Sequence, residues 1–184
     1  MVLDAGCGTG QGTRRLAARH PEALVVGVDR SAARLARVGA AGAPLLEGNA
    51  LWLRADLTSF WRLALAARWP VAHHYLLYPN PWPKSAQLGR RWHGHPVFPS
   101  LLALGGRLVL RSNWAIYVDE FALAMGLVTG RTPERRSLEV AVDAEDPDRA
   151  RRAGERTCAA PLTPFERKYA ASGHALWTLE TKLP

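Results

Sequence analysis

The stretch DAGCGTG at positions 4–10 constrains the fold of this chain more than any other. A short apolar run, Val2–Asp4, leads into it, and Thr13–His20, with the polar and apolar mix of a helix, leads out and closes at Pro21. Gly6, Gly8 and Gly10 let the backbone turn tightly and lie close to a ligand, while the start of a helix offers unpaired N–H donors. The next segment, ALVVGVD, reads as a buried strand whose last residue is Asp29, about 20 residues past Gly10, where a carboxylate can accept both hydroxyls of a ribose. Strand, glycine loop, helix, strand and terminal acid together predict a nucleoside cofactor. Asp4, directly before the glycines, would repel phosphates but suits an ammonium or a sulfonium. Asp56, at the end of a third strand, is placed to accept an adenine amino group.

The remaining pattern extends this unit. Ser31 is a candidate N-cap for the helix SAARLARVGA. Leu51–Asp56 reads as strand, Thr58–Trp69 as helix, Val71–Tyr78 and Gly106–Ser112 as strands, and Trp114–Leu127 as helix. Strands alternating with helices predict a three-layer α/β domain over residues 1–184 with a mostly parallel sheet. Arg135–Val142 is expected as a strand, Glu145–Arg156 as a charged exposed stretch and His174–Lys182 as a final strand. The first strand starts almost at Met1 although it should lie centrally, so an N-terminal helix or tail carried by relatives is expected to be missing. Hydrophobic residues at 48% and charged ones at 22% describe a soluble globular chain, and no apolar run reaches membrane-span length. No signal peptide is legible, and Cys7 and Cys158 form neither a disulfide framework nor a metal-ligand spacing, so a reducing cytoplasm and no metal are expected. A formal charge of +8 suggests an anionic partner such as RNA, although only three of the 24 basic residues are lysines and a GC-rich genome would also enrich arginine.

Residues 77–84 read LYPNPWPK, where a hydrophobic strand stops in a corner far more rigid than a turn requires. In a sheet of this kind that strand ends at the crevice outside the strand termini, beside the cofactor. Proline fixes φ, so Asn80 and Trp82 are held in one geometry at low entropic cost. Lys84, Arg90 and Arg91 follow on the same polar loop, within reach of phosphates.

The loop with Asp4, Asp29 and Asp56 resembles the class I S-adenosylmethionine-dependent methyltransferases, which have a Rossmann-like fold whose C-terminal strand is antiparallel. YPNPWPKSAQLGRR is similar to the F-P-D-P-W-x-K…RR signature of the bacterial tRNA (guanine-N7) methyltransferases. Asn49…Arg54-Ala55-Asp56, Ser112-Asn113-Trp114…Tyr117, Thr163-Pro164-Phe165-Glu166-Arg167 and Gly173-His174…Trp177 resemble further motifs of that family, in order. The resemblance implies that Asp4, the loop glycines, Asp29, Asn49, Asp56 and Asn80 hold S-adenosylmethionine. It also implies that Asn80 lies at the methyl-transfer position. Lys84, Asn113 and the Thr163, Phe165 and Glu166 segment would hold the acceptor guanine, with tRNA as partner. Trp82, Trp114 and Trp177 are read as packing aromatics before base-stacking ones.

Two positions depart from the family pattern, which has Asp where this chain has Asn80 and Asn113. Guanine N7 is a bare lone pair and needs no base, so positioning is the main demand. The methylated base gains positive charge, however, and a carboxylate would stabilise it as it develops. An Asn-Pro beside an aromatic is also a partial match to the [D/N]-P-P-[Y/W] corner of enzymes that methylate planar amino nitrogens. A different acceptor on the same fold, or a non-catalytic paralogue that keeps the cofactor or RNA, therefore stands beside the guanine-N7 reading.

Overall fold

Near-continuous apolar runs bury both faces of a strand, and β1 (Val2–Ala5), apolar except for Asp4, and β2 (Val25–Asp29), apolar up to its final acid, are buried along their whole length. The computed structural model describes residues 1–140 and 160–184. Helix α1 (Gln11–Arg19) joins these two strands, and α2 (Ala32–Leu35) follows with Ser31 as its N-cap, the hydroxyl accepting the Arg34 N–H. A hairpin of β3 (Leu45–Glu47) and β4 (Ala50–Arg54) comes next, then α3 (Leu57–Ala66) and β5 (His73–Leu77). After two 3-10 turns the chain continues through α4 (Phe98–Ala103), β6 (Arg107–Ser112), α5 (Ala115–Thr129) and β7 (Arg135–Ser137). The last described elements are α6 (Pro164–Ala171) and β8 (Trp177–Lys182).

The strands form one sheet in the order β3-β4-β2-β1-β5-β6-β8-β7. Pairs β4-β2, β2-β1, β1-β5 and β5-β6 are parallel, and β8 runs antiparallel to β6, as expected for this architecture. β3 at the opposite edge was not expected as a strand. Gly48, at φ 57, and Asn49 turn it back onto β4, a two-residue hairpin signal visible in EGNA. The Arg135–Val142 strand is shorter than expected, ending at Ser137, and the Glu145–Arg156 stretch lies outside the described residues.

Helices cover both faces. Leu57, Phe60, Trp61, Leu101 and Phe121 from α3, α4 and α5 pack on one face against Leu3, Val28 and Leu110. On the other, Leu16 of α1, Leu35 and Leu162 pack against Val2, Val25 and Leu77. β1 is central, and its neighbours leave in opposite directions through β2 and β5. That reversal opens a crevice at the carboxyl ends of the strands. Among the described residues no helix is long and apolar enough to cross a membrane.

Candidate active site

The glycine loop is tied down by the acid that ends β2. Asp29 Oδ2 accepts the Gly8 N–H at 2.9 Å and Oδ1 accepts the Ser31 N–H at 2.8 Å. Gly6 and Cys7 both donate to the Val28 carbonyl. Gly10, at φ 76, is required for space as well as for conformation, because a Cβ there would strike the Trp52 indole. Each Asp29 oxygen keeps a lone pair after these bonds.

A cleft of about 610 Å³ opens where the topology reverses. Gly6, Asp29, Asp56, Asn80, Trp82 and Arg90 all line it, so part of the expected cofactor set and part of the expected acceptor set share one hollow, which Gly8 and Gly10 do not line. Arg30, Arg34, Tyr78, Trp92 and His95 line it too and were not singled out in the sequence. Arg30 and Arg34 flank Asp29, and their signal was the basic pattern DRSAAR around that acid. Trp92 and His95 follow the Arg90-Arg91 pair, and only their aromatic spacing marked them. Asp56 caps α3 through Oδ2, which accepts from the backbone of Thr58 and Ser59 and from the Thr58 hydroxyl. The Thr58 hydroxyl bond is the main reason that the Asp56 carboxyl titrates below its usual range. Oδ1 has no protein donor among the described residues.

The proline corner is strained at both ends. Tyr78 has φ 52 and Trp82 φ 44, a region in which bulky non-glycine residues are outliers at a cost of about 1–3 kcal/mol each. Between them Asn80 is exposed, and its Oδ1 accepts the Trp82 N–H at 3.2 Å in an Asx turn. The Arg90 guanidinium lies over the Trp82 ring, 4.9 Å from its centre. Trp114 is exposed at the entry to α5, and Trp177 packs under Arg135 at 4.0 Å, both off the cleft wall.

Several expected ligands stand elsewhere. Asn49 is a correction: it precedes β4, at the end of the sheet opposite the cleft, and its amide donates to the carbonyls of Ala17, His20 and Ala23. Arg91 is another. It is 6% exposed, and its guanidinium donates to the Trp82 carbonyl at 3.2 and 3.0 Å and to Glu120, so it is not free for phosphate. Glu166 is fully buried and already accepts from the Tyr78 hydroxyl at 3.0 Å, Arg111 at 2.8 Å and the Leu162 N–H. Its carboxylate is spent on protein donors, not presented to a base. Asp4 is 2% exposed and faces α1, where it accepts the Thr13 hydroxyl at 2.7 Å; burial pushes its carboxyl up to about 6. It lies behind the loop and lines no part of the cleft. Thr163 caps α6, its hydroxyl accepting the Glu166 N–H at 3.1 Å, and Phe165 is exposed, stacked near Tyr169. Lys84 is exposed before the Ser85–Arg90 turn, and Asn113 is half-buried beyond β6; neither lines the cleft.

S-adenosylmethionine fits this donor set. Gly6 leaves one wall without a side chain, Asp29 offers acceptors for a diol, and Asp56 Oδ1 one for an amine. The volume falls within the 300–1,000 Å³ usual for small-molecule sites. Among the described residues no cluster of His, Cys, Asp or Glu is placed to hold a metal ion.

Comparison with known proteins places this geometry in context. The profile of a family described as putative methyltransferase matches residues 1–179. A tRNA (guanine-N(7)-)-methyltransferase of Leifsonia xyli is 32% identical over 182 residues, covering 97% of this chain and 74% of that protein. One from Thiobacillus denitrificans is 29% identical, covering 97% and 73%. Among solved structures, that of the 16S rRNA methyltransferase KamB superposes with a TM-score of 0.60 at 19% identity, covering 99% of this chain and 86% of that one.

Proposed function

Because the chain belongs to the putative methyltransferase family and to its tRNA (guanine-N(7)-)-methyltransferase members, we propose that it transfers a methyl group from S-adenosylmethionine to N7 of a guanine in tRNA. The observation that carries the reading is the single cleft in which Gly6, Asp29 and Asp56 meet Asn80 and Trp82. Bound there, S-adenosylmethionine supplies a methyl carbon made electrophilic by its sulfonium. Asp29 would hold the ribose and Asp56 Oδ1 the adenine amine. Asn80 and Trp82, on a corner the chain cannot relax, would fix the acceptor base in line with the methyl carbon, since N7 needs orientation and no base.

RNA would approach over the basic rim. Arg30, Arg34 and Arg90 outnumber the carboxylates Asp29 and Asp56 on the cleft wall. A neighbouring hollow of about 450 Å³ carries Arg54 beside Arg30. Neither Arg30, Arg54 nor Arg90 is ion-paired among the described residues, so their charge is available to phosphates. A flipped or unpaired guanine would then reach the corner.

The test is transfer of labelled methyl from S-adenosylmethionine to unmodified tRNA, mapped by chemical cleavage at N7-methylguanine. Label in another nucleotide or in protein would establish a different acceptor. Cofactor binding without transfer to any cellular fraction would establish a binding paralogue.

A further inference from the structure

The corner that carries Asn80 makes little of its own support. Pro79, Pro81 and Pro83 have no N–H, and the Asx turn of Asn80 is its one internal hydrogen bond among the described residues. Two aromatic residues nevertheless hold positive φ at its ends, and such conformations persist only where surroundings over-determine them. Those surroundings are two buried charged groups. At the first end Tyr78 donates its N–H to the Arg111 carbonyl at 2.8 Å and its hydroxyl to Glu166, while Glu166 also takes the Arg111 guanidinium. The three residues close a ring that fixes Tyr78 by backbone and side chain at once. At the second end Arg91 grips the Trp82 carbonyl with two N–H groups and is itself held by Glu120, which His93 contacts at 3.1 Å.

We propose that Glu166 and Arg91 are positioning residues, each holding one strained end of the corner and together setting where Asn80 meets the acceptor. This rests on the methyltransferase reading, because the corner matters only if an acceptor is aligned there. Glu166 acts through the Tyr78 hydroxyl and Arg91 through the Trp82 carbonyl, and neither touches the base. The cofactor side of the cleft, at Gly6, Asp29 and Asp56, shares none of these hydrogen bonds.

The experiment compares wild type with Tyr78→Phe, which deletes one hydroxyl and keeps the ring, and with Arg91→Lys, which keeps charge but loses the two-pronged grip. The rate of deuterium uptake at the Tyr78 and Trp82 amides, the hydrogen-bonded ones of the corner, should rise about tenfold in each variant, with the amides of β1 and β2 unchanged. At saturating cofactor, kcat should fall by about tenfold or more while the cofactor Kd stays within about twofold. Unchanged uptake in Tyr78→Phe overturns the clamp, and faster uptake with unchanged kcat overturns its role in positioning. Should Arg91→Lys fail to fold, Tyr78→Phe alone decides. Wild-type protein that methylates no tRNA would overturn the functional reading, while the uptake comparison still decides whether the clamp exists.

Discussion

Replacing Asp4 with Asn should stabilise the cofactor-free protein above pH 6 and leave it nearly unchanged in acid. Asp4 is 2% exposed, and burial, the largest influence, raises its carboxyl from 3.8 to about 6; Asp29 nearby raises it further, and the Thr13 hydroxyl bond pulls the other way. The folded state therefore binds a proton that the unfolded chain has released between these two values. Stability from this group is fully present below pH 3.8 and is lost as pH rises through about 6. A shift of roughly two units corresponds to ~3 kcal/mol, a large part of a typical folding free energy of about 5–15 kcal/mol. Asn keeps an oxygen for the Thr13 hydroxyl and never ionises. Denaturant unfolding of both proteins at pH 4.5 and 7.5 should show the variant's advantage growing by ~2 kcal/mol between those points. Other groups cancel in the difference, including His74, which burial holds neutral down to about 3 and which carries the opposite pH dependence. Parallel pH profiles for the two proteins would refute the argument.

Asn49→Ala should cost about 1–3 kcal/mol by leaving the Ala23 carbonyl short of a donor, while those of Ala17 and His20 keep backbone N–H partners, with cofactor affinity unchanged when titrated well below the melting temperature; weakened affinity would return Asn49 to the site. Asn80→Asp places a carboxylate where, on the proposed function, the methylated base becomes positive. A charge-assisted contact worth ~1.5–3 kcal/mol predicts N7 transfer about 10- to 100-fold faster in single turnover, and an equal or slower rate would count against the electrostatic argument. Arg30→Ala with Arg54→Ala should lower the slope of log tRNA affinity against log salt by about 1–2 and weaken all tRNAs alike; an unaltered slope would place the RNA elsewhere.

What the sequence made legible was local. The glycine loop, the acid ending β2 and the proline corner are each set by a few neighbouring residues, and all three meet in the cleft. The misassigned residues failed for a different reason. A charged side chain within a motif reads as a ligand until its tertiary partner is known, and those partners are remote: Arg91 lies 29 positions from Glu120, and Glu166 lies 55 from Arg111 and 88 from Tyr78. Asn49 failed through strand polarity. In a parallel sheet a residue just before a strand faces away from the crevice, and the length of β4 puts Asn49 on that side. β3 was legible in principle, since Gly48-Asn49 between Glu47 and Ala50 is a two-residue hairpin signal, but three residues give too little alternation to read as a strand.

The same separation of shape from charge bears on Asn80. Its Oδ1 makes the Asx turn to the Trp82 N–H, a bond that either oxygen of an aspartate would make as well. The conformation is held from outside by Tyr78 and Trp82 and their buried partners, so the side chain at position 80 is not what keeps the corner in place. On the proposed function an amide there would keep the position of the acceptor and give up the field that stabilises a developing cation. Of the two departures from the family pattern, the one at Asn80 should on the proposed function cost rate without costing geometry. This is why restoring the carboxylate should act on kcat and leave the deuterium uptake of the corner where it was.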